Sequence, residues 1–277
     1  MFWKKYHIGG GLVILIGKIP GKLDFFFNPL REEFTKRAWF HFWAFVLYLS
    51  IGTGKPKLLH IARHQRKGKH RTRIGAFLKG SRWDEVKVLD EAAWQVLRSM
   101  KPRKGETLYL IIDETKERKW GKVMAAVGKL FHHVLGRFVR GHTVLMAALS
   151  FRGITVPWRL SLYAKKEYCE KVKGTAHAVP FRKLTELATD AIRTLSVPKG
   201  IKVMVLFDSF YLCPQVTTAC RERGWHYVSV AKHNRNFYVR GGKRKMGRYA
   251  QNVMRRNNSE IRLRTASRMK IYRVAER

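Results

Sequence analysis

Two aspartates carry the chemistry this sequence could do. Asp113 closes the apolar run of "LYLIID" and Asp208 closes that of "IKVMVLFD", 95 residues later. Each is the first polar residue after a run with the composition of a buried strand, and carboxyl ends of strands in open α/β sheets are where ligand sites form. A single aspartate in that context reads more readily as an N-cap or turn residue. Two in the same context form a pair of hard oxygen donors. Magnesium is commonly held by one or two carboxylates together with phosphate oxygens and water, and two such ions can activate a water or a 3′-hydroxyl and stabilise the leaving oxygen in phosphodiester chemistry. Glu114 follows Asp113, but alternation along a strand turns it to the opposite side and away from such a site.

The setting of the pair narrows the partner. The chain has 277 residues with 57 Lys and Arg against 19 Asp and Glu, a formal charge of +38. A charge of that size opposes compaction unless a polyanion neutralises it, and nucleic acid is the leading candidate. Charge alone also allows a ribosome-associated or membrane-surface protein. The 45% hydrophobic content is enough for a sizeable core. Three cysteines, Cys169, Cys213 and Cys220, fit neither a disulfide framework nor a CxxC zinc site and indicate buried thiols in a reducing compartment. The most apolar stretch, residues 39–51, is shorter than a bilayer span and contains a histidine, so it reads as a core helix. The apolar run in "GGGLVILIG" is too short for an export signal, and residues 1–30 receive no assignment.

Elements that could position the pair follow from periodicity. Apolar residues run round a helix from Phe34 to about Leu49 and recur at helical spacing from Trp83 to Met100. Between them "KPKLLHIARHQRKGKHRTR" carries eight basic residues and no acid: Lys55, Lys57, Arg63, Arg66, Lys67, Lys69, Arg71 and Arg73. Such a run is either a solvated face or a contact to a DNA backbone. His60 and His64, spaced i, i+4, could also hold zinc. After "KPRKGE" the pattern changes to strands: 107–115, one ill-defined within 120–139, 143–151, and 153–165 pairing antiparallel with it. An amphipathic helix over 180–197, the strand 201–210, a helix at about 214–223 and a strand at 225–232 complete a βαβ unit. Trp120, Trp158 and Trp225 read as core or rim packing. Lys119 and Lys122 follow Asp113 and could contact substrate phosphates, and Lys232 and Arg235 end the strand beside that of Asp208. From Arg240 onward the chain carries thirteen basic residues, with a composition that fits either a basic tail or short strands.

The segments "LIIDET" and "MVLFDSFYLCPQVTTACRERGWHYVSVAKHNRN" resemble the DDE transposases of bacterial insertion sequences, and "REEFTKRAWFHFWAFVLYLSIGTGKPKLLHIAR" resembles their helical DNA-binding region. The resemblance implies an α/β (α+β) fold with an RNase H-like mixed sheet and flanking helices. It divides the chain into an unassigned segment 1–30, a helical DNA-binding domain 31–103, a partial catalytic core 104–236 and a basic, β-rich insertion segment 237–277. It implies Asp113 and Asp208 as catalytic metal ligands, Mg2+ as cofactor with Mn2+ as a substitute, and DNA ends and target DNA as partners of a homodimer in a cytoplasmic, nucleoid-associated setting. These enzymes need a third acid, a glutamate on a downstream helix. Glu276 and Glu260 depart from its spacing, so the expectation is that the chain stops before it. A catalytically inactive DNA-binding remnant and a structural RNA-binding protein are the alternatives.

Overall fold

The computed structural model describes all residues except 1–2, 9–10, 17–20, 52–56, 64–70, 122–123, 133–134, 240, 257–258, 265–268 and 275–277. It divides into two units, Met1–Arg103 with Gly153–Leu160, and Lys104–Arg152 with Ser161–Arg277.

In the first unit a hairpin of β1 (Trp3–Ile8) and β2 (Gly11–Ile16) precedes helices α1 (Gly21–Phe27), α2 (Lys36–Ile51), α3 (Leu58–Arg63), α4 (Arg71–Gly80) and α5 (Glu85–Ser99). The hairpin falls in the segment to which the sequence assigned nothing. The helices are held by a dense aromatic core. Leu30, Phe34, Ala38, Phe77 and Val88 are buried together, and Trp83 stacks on Phe34 with ring centroids 5.3 Å apart. A second cluster gathers Ala44, Tyr48, Ile61 and Ile74. Helix α5 starts where its sequence says it should: Asp84 Oδ1 accepts from the backbone N–H of Val86 and Lys87, both at 3.0 Å, and so satisfies two of the donors that a helix start leaves unpaired. Trp158 is buried and its indole N–H donates to Asp90 of α5. Among the described residues no helix is long and apolar enough to cross a membrane.

The second unit is built on β3 (Thr107–Arg118), β4 (Gly128–His132), β5 (Arg137–Phe151), β7 (Lys202–Phe207) and β8 (His226–Ser229), and takes in β6 (Ile154–Tyr163) only from Ser161 onward. The sheet order is β4-β5-β3-β7-β8, with β6 pairing β5. β3, β7 and β8 run parallel, while β5 is antiparallel to both β3 and β4. Arg152 and Gly153, with φ of 48° and 82°, make the turn between β5 and β6. Helices α6 (Lys166–Val172), α7 (Leu184–Thr194) and α8 (Pro214–Glu222) complete the core, and α7 packs on α8 and β5. The result is a mixed sheet with flanking helices, the α/β (α+β) class that the sequence leads one to expect.

Alternation decides the two faces. Leu108, Leu110 and Ile112 of β3, Leu145, Ala147 and Leu149 of β5 and Val203, Val205 and Phe207 of β7 are buried on one face. Ala188, Thr189, Ala191 and Ile192 are the buried residues of α7, and Val216, Ala219 and Cys220 those of α8. Burial pushes the Cys220 thiol up to about 11, which leaves it protonated and unreactive. On the other face Tyr109 and Met146 are exposed and Ile111, Met204 and Leu206 only half-buried.

Beyond β8 come a hairpin of β9 (Asn236–Val239) and β10 (Gly242–Lys245), then helix α9 (Met246–Arg256), then a hairpin of β11 (Ser259–Arg264) and β12 (Met269–Val274). The sequence suggests strands over 259–276, and they are present; it gave no sign of α9.

Gly141 is the tightest position in the sheet. It pairs with both Arg118 and Gly128, and a Cβ there would stand 2.4 Å from the backbone oxygen of Glu117. Gly141→Ala must therefore push β3 and β5 apart. The expected loss is roughly 1–3 kcal/mol of unfolding free energy in a urea titration.

Candidate metal and phosphate site

The parallel register brings the two aspartates together. The last pair of β3 and β7 is Ile112 with Phe207, and Asp113 and Asp208 are the next residue on each chain. Alternation places them on the face opposite the buried Ile112 and Phe207, and both are exposed. The sequence reading is corrected at one point. Asp208 does end its strand, but Asp113 lies inside one: β3 continues through Arg118, pairing Glu114 to Arg118 with Leu145 to Gly141 of β5. The sequence predicts this strand only as far as Thr115, because "KER" offers no apolar side chain, yet the backbone of all three residues is in the ladder.

Each carboxylate is held by local bonds. Asp113 Oδ1 accepts from the backbone N–H of Glu114 at 2.9 Å. Asp208 Oδ1 accepts from the N–H of Phe210 at 2.9 Å and of Tyr211 at 3.4 Å, the turn geometry usual for an aspartate. Its carbonyl is in turn bonded by the Ser229 hydroxyl of β8, at 3.0 Å. In both residues the second carboxylate oxygen takes no part in these bonds.

Glu114 faces the other side, as alternation requires, and has a definite task there. Its Oε2 accepts from the hydroxyl of Tyr211 at 2.9 Å. Tyr211 is fully buried and follows Asp208 by three residues, so one side chain ties the strand of Asp113 to the turn of Asp208. Burial, then the Glu114 carboxylate, then Asp113 and Asp208 push its phenol far above the ordinary tyrosine value, so it remains the donor in this bond. Sequence reasoning set Glu114 aside as a ligand and did not find this link. The only signal for it was an aromatic hydroxyl in "DSFY" with a second acid beside Asp113.

The basic candidates are placed unevenly. Lys119 is half-buried at the end of β3, its Nζ 3.9 Å from Glu117, and its N–H donates to Arg140 O. Lys232 is exposed and Arg235 half-buried, in the turn that follows β8. In the first unit Lys57 precedes α3, Arg63 lies in it, and Arg71 and Arg73 are exposed on α4. Lys55, Arg66, Lys67, Lys69 and Lys122 lie outside the described residues, as do His64 and Glu276. Glu260 is exposed on β11, which pairs with β12 in a two-stranded sheet separate from the one that carries the aspartates. Among the described residues no group of three His, Cys, Asp or Glu could hold a metal. Trp120 is corrected too. It is 79% exposed rather than packed, with the Arg118 guanidinium 3.6 Å from its ring centroid.

A family model described as DDE superfamily endonuclease matches residues 29–271. No curated protein matches the chain. Among solved structures, the cryo-EM structure of the piggyBac transposase synaptic complex with hairpin DNA is similar, at 14% identity and a TM-score of 0.39. That similarity covers 73% of this chain and 43% of the other, so the chain spans less than half the length of that transposase.

Removing the Tyr211 hydroxyl strands a half-buried carboxylate. Tyr211→Phe is expected to lower unfolding free energy by about 1–3 kcal/mol in urea, and Glu114→Gln, which keeps an acceptor, by less. Equal stability of Tyr211→Phe and the unaltered protein would remove the tie between the two aspartate segments.

Proposed function

The chain belongs to the DDE superfamily endonucleases, and on that premise we propose that it is a DNA transposase that cuts phosphodiesters at the ends of an insertion sequence and joins them to target DNA. The observation that carries the reading is the register of Asp113 beside Asp208 on the exposed face of the sheet, in a protein of charge +38. Two carboxylates there repel a phosphate backbone unless cations stand between them. Hard oxygen donors that each keep one oxygen clear of local bonds fit a divalent ion of the Mg2+ or Mn2+ kind. Bound by Asp113 and Asp208, such ions would supply an activated water or 3′-hydroxyl and charge stabilisation at the leaving oxygen.

The rest of the work falls to the chain's own residues. Glu114 and Tyr211 fix the spacing of the two aspartate segments from below the sheet. Lys119, Lys232 and Arg235, at the ends of β3 and β8, take phosphates on either side of the scissile bond. The basic residues of α4 add sequence-independent contact to the DNA backbone. A second reading, a catalytically inactive DNA-binding protein, is favoured by one observation: among the described residues no third acid joins the pair.

Isothermal titration with Mn2+ and nicking of supercoiled plasmid separate these readings. Asp113→Asn and Asp208→Asn are each expected to abolish the Mn2+ heat and any nicking, with affinity for duplex DNA kept within about twofold because phosphate contacts by Lys and Arg dominate it. An unchanged Mn2+ isotherm in both variants would sink the metal site. Mn2+ binding without nicking by the unaltered protein would leave the inactive DNA-binding reading.

A further inference from the structure

The sheet face that carries Asp113 also carries an aromatic and basic ladder at its far end. Lys129 pairs with Arg140 and Phe131 with Phe138 across β4 and β5. Along β5, alternation puts Phe138, Arg140, His142, Val144 and Met146 on one side, and Met146 pairs with Asp113. The two cations and the two rings therefore share the face of the aspartate. The opposite side of the same strands is buried, at Leu130 and Val139.

The rings are unusual for a surface. Phe138 is 61% exposed and Phe131 39%, and they meet edge to face with centroids 5.3 Å apart. Lys129 Nζ stands 4.8 Å from the centroid of the Phe138 ring. Next to them a hollow is lined by Lys129, Arg140, Lys165, Lys171 and His177 against one carboxylate, Glu167. Apolar rings interleaved with cations suit one chemical class of ligand. Unpaired bases stack on exposed aromatic faces, while their phosphates follow a cationic groove. A duplex offers its phosphates to the same cations but keeps its bases inside. The rings would then distinguish single strands from double ones.

We infer that this end of the face binds an unpaired stretch of nucleic acid, with Phe131 and Phe138 stacking on bases and Lys129, Arg140 and Lys171 taking phosphates. The inference rests on the nucleic-acid reading proposed above and not on the metal.

The test is fluorescence anisotropy with labelled oligo(dT) and a duplex of equal length, in EDTA, so that no divalent ion contributes. Phe131→Ala with Phe138→Ala is expected to weaken oligo(dT) binding by about tenfold or more, with duplex affinity unchanged. Phe138→Leu, which keeps the apolar bulk and the fold but loses the aromatic face, is expected to weaken it as well. Lys129→Ala with Lys171→Ala should instead lower the slope of log affinity against log salt, by about 0.7 per lysine. Oligo(dT) affinity unchanged in the double Phe variant overturns the inference, as does an equal loss for duplex and single strand. A dimer in sedimentation that the double Phe variant splits, with oligonucleotide affinity intact, assigns the patch to self-association instead. The assay holds no available divalent ion, so failure of the metal site leaves this result standing. Absence of binding to either oligonucleotide would remove both readings at once.

Discussion

The parallel pairing of β3 with β7 is the constraint on which the rest depends. Side chains in a strand alternate with a period of two, so a slip of one residue would turn Asp113 or Asp208 into the apolar side of the sheet. The register is fixed by what lies opposite: Leu108, Leu110 and Ile112 beside Val203, Val205 and Phe207, all buried. Packing on one side thus decides where charge stands on the other. Tyr211 adds a side-chain bond to the ladder, from the turn after β7 to Glu114 of β3. Two acids side by side are an unfavourable arrangement by themselves, and the hydrophobic pairs beneath them are what hold it.

Much of this arrangement could be read from the residues. The strands at 107–115, 143–151 and 201–210 are apolar runs ended by polar residues, and the amphipathic helix before Lys202 shows one apolar stripe, so each was legible from local pattern. What local pattern misses is pairing. Residues 116–118 are all charged and lie beyond the strand that the sequence predicts at 107–115, yet they extend β3 because β5 is fifteen residues long and supplies partners for their backbone. Helix α9 escaped for a related reason. Its sequence, "MGRYAQNVMRR", is rich in polar and basic residues, and its neighbours suggested strands. The bond from Tyr211 to Glu114 joins positions 97 apart, which no periodicity can reveal.

The charge of the chain is also resolved by position. Acids are few, and several are committed to structure: Asp84 caps α5, Glu106 receives Arg152 at 2.7 Å, and Asp190 receives Arg182. With 57 Lys and Arg against 19 Asp and Glu, cations far outnumber the acids. In a protein of this balance, the excess positive charge calls for a counter-charge supplied from outside the chain. The first unit meets the resulting repulsion with aromatic packing: Trp83, just before α5, stacks between Phe34, just before α2, and Phe77 of α4, which buries large apolar area.

One-sided burial of the sheet has a consequence for how the protein can change over generations. Residues that hold the fold point one way along each strand, and residues able to meet a ligand point the other. Truncating Leu110 or Leu145, each fully buried, would cost about 2–5 kcal/mol, while Tyr109 or Met146 on the open side can be exchanged at small expense. Odd and even positions of β3 therefore stand under separate selection. Recognition can drift without unfolding the scaffold, and the scaffold can be reinforced without disturbing recognition.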